Sequence, residues 1–253
     1  RLPNCVPANM LLQCLQMELH DRGADCINFL RNQAPMTERD SLDLFPGLER
    51  AIVCHTVDGL ISTVPLDDAA VTLCKQYHMP FCYHGDRRYY ENCTLRKNCL
   101  PDALQKLNEA GCQRPAVLFT SIRQKTMHEE EAFILLRKTS RKTSFSLDLD
   151  DNFPRGQDFF LAKAERVTKE YRSLPEKERP DGLYIPDDFL AAAFVMYLLL
   201  NKCPLPKLIV QRWKQIPVAF PCPLVGWYEQ DMVADAEKIA DLMFDLLHDS
   251  EEK

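Results

Sequence analysis

The sequence predicts an α/β protein of two similar lobes, each a mostly parallel sheet with helices on both faces. Three observations lead there. Short apolar runs alternate with helical runs almost from end to end, the pattern of βαβ units. The connections between them are short, as such units prefer. One strand–turn–helix device also occurs twice, as "VDGLISTVPLDDAAV" (57–71) and "PDGLYIPDDFLAAAF" (180–194).

A first helix is read over 5–22, where Val6, Met10, Leu11, Cys14 and Leu15 recur at helical spacing and Gly23 stops it. "ADCINFL" (24–30) reads as a short buried strand, and 38–54 as a helix broken near Pro46. "DGLIST" (58–63) reads as a strand, 66–77 as a helix, and "MPFCYH" (79–84) as a strand opened by Pro80. A helix over 95–111 ends on Gly111, followed by a strand at 114–121, a helix at 127–138, an alternating segment at 144–150 and a helix at 156–174. A strand at 181–186, a helix at 187–201, strands at 206–213 and 216–220, and an amphipathic helix at 231–247 complete the series. Pro-rich patches at 175–186 and 204–223 do not divide the chain.

The repeated device explains its own paired acids. Pro ends the strand, and an Asp then caps the following helix, its carboxylate accepting bonds from free backbone N–H groups and favoured by the helix dipole. Asp67, Asp68, Asp187 and Asp188 are therefore read first as helix starts. Each turn also lies at the carboxyl end of a parallel strand, where open α/β sheets bind ligands.

Composition narrows the function classes. At 253 residues with 46% hydrophobic content, the chain can form one large domain or two small ones with a real core. A net charge of −6 argues against a large basic nucleic-acid surface on this chain. The longest apolar run, "FLAAAFVMYLLL" (Phe189–Leu200), is too short to cross a membrane and reads as a buried helix. No basic-then-apolar leader opens the sequence. Eleven scattered cysteines without a C-x-x-C read as reduced, mostly buried thiols, hence a cytoplasmic setting. Cys82 and His84 come nearest to a metal pair, too few for a zinc site. No G-x-S-x-G, P-loop, H-E-x-x-H or G-x-G-x-x-G is present, so neither catalysis nor a cofactor is expected.

"VDGLI", "MPFCYHGDRR" and "LQKLNEAGCQRPAVLFT" follow one another as strand, strand, and helix with strand. With "DGLYIPDDFLAAAFVMYLL" and "DMVADAEKIADLM" they resemble, in order and over nearly the whole chain, the effector-binding part of lactose-repressor/galactose-repressor-type transcription factors. The resemblance rests on succession and pattern, with no single strong motif. It implies the periplasmic-binding-protein type I fold: a first lobe of 1–94 with 228–253, a second of 95–227, and an effector cleft between them. It also implies a homodimer, and a strand before Val6 that this sequence lacks. A DNA-reading domain is expected further upstream, outside this chain, so any DNA contact is made through that domain.

The departures bear on the ligand. Leu95–Cys99 stand where the family has Asp-Asn-x-x-Gly, and Glu129 where it has an Arg. "VQRW" (Val210–Trp213) replaces its Gly-Phe-Asp-Asp, and Asp187 replaces its Asn. A small-molecule effector, a sugar or sugar derivative, is expected from the resemblance, though most sugar-contacting positions have changed.

Several candidate contacts follow. Trp213 offers a stacking face, with Arg212 beside it at a strand end. Asp187 can bond ligand hydroxyls or serve only as a cap. Asp86 and Arg87 follow a strand end, where Arg can grip a carboxylate or phosphate in a forked geometry. Arg123 follows the strand at 114–121, Glu129 occupies the family's Arg position, and Trp227 lies near the last crossover, ligand contact or hinge packing. Alternatives to a regulator's sensor are a transporter's solute-binding protein, a degenerate sensor used only for dimerisation, and an α/β enzyme.

Overall fold

A computed structural model describes residues 6–32, 38–119, 159–216 and 218–251. The chain forms two compact units. The first is Arg1–Lys97 with Asp231–Lys253, and the second is Asn98–Gln230.

In unit 1, helix α1 (Val6–Asp21) is closed by Gly23, whose φ of 84° suits a residue without a Cβ. A 3-10 turn (Leu42–Leu44) and a short helix α2 (Leu48–Val53) precede strand β1 (Leu60–Ser62). Helix α3 (Asp68–Gln76) leads to β2 (Phe81–Gly85) and β3 (Cys93–Leu95). The sheet order is β1-β2-β3, all parallel, with Leu60 opposite Phe81 and Tyr83 opposite Cys93. Every residue of β2 is buried, so the strand serves both faces. Phe81 and Tyr83 join Leu48, Ile52, Ala70 and Cys74 on one side. His84 turns the other way, toward Asp235 of the terminal helix α7 (Met232–Glu251), against which α1 also packs.

Three readings of this unit change. "ADCINFL" forms no strand: Ile27 and Leu30 are exposed, and Phe29 alone of its large apolar side chains packs against the core. Its apolar composition suggested burial, yet it finds no ladder partner. The segment 38–54 is a bridge residue, a 3-10 turn and a six-residue helix instead of one broken helix. The strand Cys93–Leu95 was not expected, because three residues carry no periodicity to detect.

In unit 2, α4 (Leu100–Glu109) begins with Pro101 in its first turn and Asn98 Oδ1 accepting from the Leu100 amide at 3.0 Å. Strand β4 (Pro115–Val117), helix α5 (Phe159–Ser173), β5 (Gly182–Ile185), α6 (Asp188–Leu200), β6 (Lys207–Trp213) and β7 (Gly226–Gln230) follow. The order β4-β5-β6-β7 is parallel throughout. α4 covers one face through Leu104, Leu107, Val117 and Ile209. α5 and α6 cover the other through Val167, Phe194, Leu198, Leu183 and Val210. Complete burial of a side chain such as Phe194 contributes about 2–3 kcal/mol.

The Asp-Gly that opens β5 has a definite task. Asp181 accepts from the Gln113 amide at 2.9 Å and the Arg114 amide at 2.7 Å, which fixes the entry of β4 beside β5. Gly182 lets the helix–strand turn close in, since a Cβ there would lie 2.5 Å from the Cys112 sulfur.

The described residues of "IPVAF" (216–220) form no strand. The last strand of the sheet lies beyond them at Gly226–Gln230, because Pro217, Pro221 and Pro223 deprive the apolar run of ladder donors. The helix expected at 127–138 and the segment at 144–150 lie outside the described residues. No helix among the described residues is long and apolar enough to cross a membrane.

Candidate functional site

Polar and aromatic side chains collect at the carboxyl ends of the parallel strands. In unit 2, α6 starts where β5 ends. Asp187 is its N-cap, Oδ1 accepting from the Leu190 amide at 2.8 Å. Burial raises the Asp187 pKa, while the Leu190 amide and the charge of Lys163 oppose that shift. Lys163 is itself buried on α5.

Asp188 is more unusual. It is fully buried, with the backbone N–H groups of Phe189 and Trp213 beside its carboxylate. Burial first, and the neighbouring Asp187 charge second, push its pKa up to about 7.

Arg212 and Trp213 end β6, and strand alternation sends them to opposite faces. Arg212 lies on the α5/α6 face. Its guanidinium sits 4.3 Å from the Trp227 ring centroid, and its Nε bonds Glu229 Oε1 at 3.1 Å. Both Arg212 and Trp227 lie toward the sheet edge, and Trp227 is 49% exposed. Trp213, half-buried, lies on the α4 face opposite Gln230 in register. On that face a polar chain crosses three strands: Tyr184 O–H donates to Gln211 Oε1 at 2.9 Å, and Gln211 Nε2 donates to Gln230 Oε1 at 2.9 Å. Sequence reading missed this chain, because its members come together only through register. Arg212 and Trp227 are thus neighbours, and Trp213 belongs to a separate group.

In unit 1, Asp86 follows β2 and pairs with Arg96 at 3.3 Å. Arg87 is exposed, its guanidinium 6.0 Å from the Tyr89 centroid, with Arg39 at 5.3 Å from the same ring. Tyr83 packs edge to face against both Tyr89 and Tyr90, and Tyr90 donates to the Leu66 carbonyl. The Tyr89 hydroxyl is buried without a partner. Gly85 is required beside this cluster, since a Cβ there would collide with the Tyr83 hydroxyl. In the sequence the doublet "YY" (Tyr89 and Tyr90) points to this cluster, while Tyr83 is hidden inside the strand "MPFCYH". Arg123 and Glu129 lie outside the described residues. Among the described residues, no group of His, Cys, Asp and Glu could hold a metal ion.

The sequence matches no family model and no curated protein. Solved structures do match. A LacI family transcriptional regulator from Lactobacillus casei with bound glucose shares 17% identity, covering 94% of this chain and 87% of its own, with a TM-score of 0.67. The fold is that of LacI-family transcriptional regulators. A LacI family regulator from Bifidobacterium animalis subsp. lactis, at 17% identity, covers 94% and 85% with a TM-score of 0.69. The cellobiose complex of the regulator CelR, at 15% identity, covers 94% and 72% with a TM-score of 0.64. The α/β class, parallel sheets and helices on both faces expected from the alternating sequence agree with this LacI-type architecture.

Proposed function

We propose that this chain is the effector-sensing and dimerising domain of a LacI/GalR-like transcriptional regulator. Its effector is a small molecule, a sugar or sugar derivative, held at the carboxyl ends of the parallel strands. Binding modulates DNA recognition by a domain outside this chain, in the cytoplasm. The observation that carries this reading is the fold match over 94% of the chain to regulators, one with bound glucose and one in complex with cellobiose.

The side chains support it in kind. Trp213 supplies an apolar face of the sort that stacks on a sugar ring, and Asp187 a carboxylate oxygen for hydroxyls. After β2 of unit 1, Asp86 offers a second carboxylate, and Arg87 a guanidinium fork for an acidic group of a sugar derivative. Arg212 and Trp227 form a stacked pair whose exposed ring is available to a flat ligand face. Arg123 and Glu129 complete the set of proposed contacts. Ligand groups that bond Asp187 must share it with the Leu190 amide, and those that bond Arg212 must share it with Glu229. That prior engagement favours, as a second reading, a degenerate sensor that serves only as a dimerisation module.

Thermal-shift screening against monosaccharides, disaccharides, sugar acids and nucleosides separates the two. The sensor reading expects a stabiliser, with loss of the shift in Trp213→Ala. A complete panel without any stabiliser would leave the dimerisation module.

A further inference from the structure

The carboxyl end of β6 carries Arg212 and Trp213, yet its neighbour β5 stops short of them. Ile185, the last residue of β5, is registered against Val210, and β6 runs on to Trp213. On its other side β6 stays paired. Trp213 is registered against Gln230 of β7, and the Lys214 amide donates to the Gln230 carbonyl at 3.0 Å. Backbone N–H groups along a parallel strand point alternately to its two neighbours. With the Lys214 amide directed at β7, the Trp213 amide is directed at the β5 side, past the point where β5 has ended. An N–H aimed into a sheet requires an acceptor, and the strand no longer offers a carbonyl.

Asp188 stands where that acceptor is needed. It lies three residues past Ile185, as Trp213 lies three past Val210. It is completely buried, with the Trp213 N–H beside its carboxyl group. The first residue of α6 thus continues the acceptor row of β5 by one place. Turn length decides this. Only Pro186 and Asp187 separate β5 from α6, so the helix starts against the sheet. In unit 1 residues 63–67 separate β1 from α3, and Asp68, at the same point of the repeat, reaches solvent. The two acids of unit 2 have separate tasks: Asp187 caps α6 through the Leu190 amide, and Asp188 fastens β6.

We propose that Asp188 is a positioning residue of the effector site: without touching the ligand, it holds the Trp213 amide and so fixes the end of β6 from which Arg212 and Trp213 project. The inference rests on the effector reading and adds a residue which that reading does not use. Strand alternation sends the two side chains to opposite faces, so one backbone anchor places both. An anchored strand end has little freedom left to lose when a ligand binds, which favours affinity. Complete burial keeps Asp188 itself away from the ligand.

Amide hydrogen exchange of the full chain, read by NMR with isotope-labelled tryptophan, tests this. Only Trp213 and Trp227 then give backbone amide signals, and Trp227→Phe assigns them. In the wild type the Trp213 amide should exchange slowly. Asp188→Ala should speed its exchange at least about tenfold, the equivalent of one hydrogen bond. Asp188→Asn keeps an oxygen for the amide and should stay within about threefold of the wild type. Asp68→Ala, the matching position of the unit-1 turn, should leave the Trp213 amide unchanged. Should Asp188→Ala lose helical circular dichroism, Asp188→Ser decides: its hydroxyl suits a helix start, but the side chain is one atom shorter and should leave the amide exposed. Equal protection in the wild type and in the alanine or serine variant overturns the proposal, and so does an asparagine variant that exchanges as fast as alanine. Thermal shifts with glucose and cellobiose give the ligand readout. Apparent affinity should be kept in Asp188→Asn and fall at least about tenfold in Asp188→Ala. Undiminished affinity in a variant whose Trp213 amide has lost protection overturns the positioning role. A wild type that no sugar stabilises would sink the effector reading alone, since the amide exchange would still show whether Asp188 anchors β6.

Discussion

The two Asp-Asp turns are alike in sequence and opposite in environment. Asp67 and Asp187 do the same work, each capping a helix by accepting the amide three residues on, at 2.8 Å in both cases. Their neighbours diverge. The Asp68 side chain is 91% exposed and pairs with Arg39, whereas Asp188 is fully buried beside the Asp187 charge. A repeated motif thus preserves the backbone device, and the residue next to it is set by local packing. In unit 1 that residue is an ordinary surface acid. In unit 2 it is a buried proton site.

The contrast extends to pH. Unit 1 has a buried base in His84, with Nδ1 2.9 Å from Thr94 Oγ1 and Nε2 3.9 Å from Asp235 Oδ2. Burial, then the Arg96 charge, lowers its pKa to about 3. The neutral ring is what the fold accepts, so its contribution is present above the unfolded value near 6.5 and is lost as pH falls toward 3. Asp188 runs the other way. Its protonated form is what the fold accepts, so stability is greatest below the unfolded value near 3.8 and is lost as pH rises through about 7.

The widest test of the comparison is therefore the pH profile of urea unfolding. Asp188 should remove roughly 3–4 kcal/mol between about pH 4 and pH 8, and Asp188→Asn should flatten that limb. An unchanged slope in the variant would mean that the two Asp-Asp turns differ less than their burial indicates. His84→Gln should flatten the acid limb, by a comparable amount, and leave the alkaline limb alone.

Truncating Phe194, fully buried on the inner side of α6, should cost about 3–5 kcal/mol, read as lost hydrogen-exchange protection in unit 2. A loss below about 1 kcal/mol would show that the α6 core is loosely packed. Removing either cap, by Asp67→Ala or Asp187→Ala, should cost about 1 kcal/mol in thermal unfolding, with similar values at the two sites. The smallest effect belongs to Asp68→Asn, within about 0.5 kcal/mol, because its ion pair with Arg39 is open to solvent. A large loss there would erase the distinction between the two turns.

The caps were legible in sequence because a cap is local: Pro, Asp and an Ala-containing helix suffice to specify it. So were most helices, whose periodicity spans ten residues or more. Features that depend on a distant partner were not legible. "ADCINFL" has the composition of a buried strand and no strand beside it. "IPVAF" has strand-like residues, yet the ladder falls to "GWYEQ", in which Trp227 and Glu229 are exposed. The Tyr184–Gln211–Gln230 chain, the pairing of Arg212 with Trp227, and the burial of Asp188 all arise from register and packing between segments far apart. Arg212 and Trp213, adjacent in sequence and read together, are divided by the alternation of one strand.

The central claim is that the strand ends hold a small sugar-like effector. The chain contains only two tryptophans, Trp213 and Trp227, so intrinsic fluorescence reports on two of the proposed contacts. Titration with glucose, cellobiose and the wider sugar panel should give a saturable change in emission, abolished by Trp213→Phe if that ring stacks on the ligand. Emission that stays flat across the panel, in a chain shown to be folded, would contradict the account.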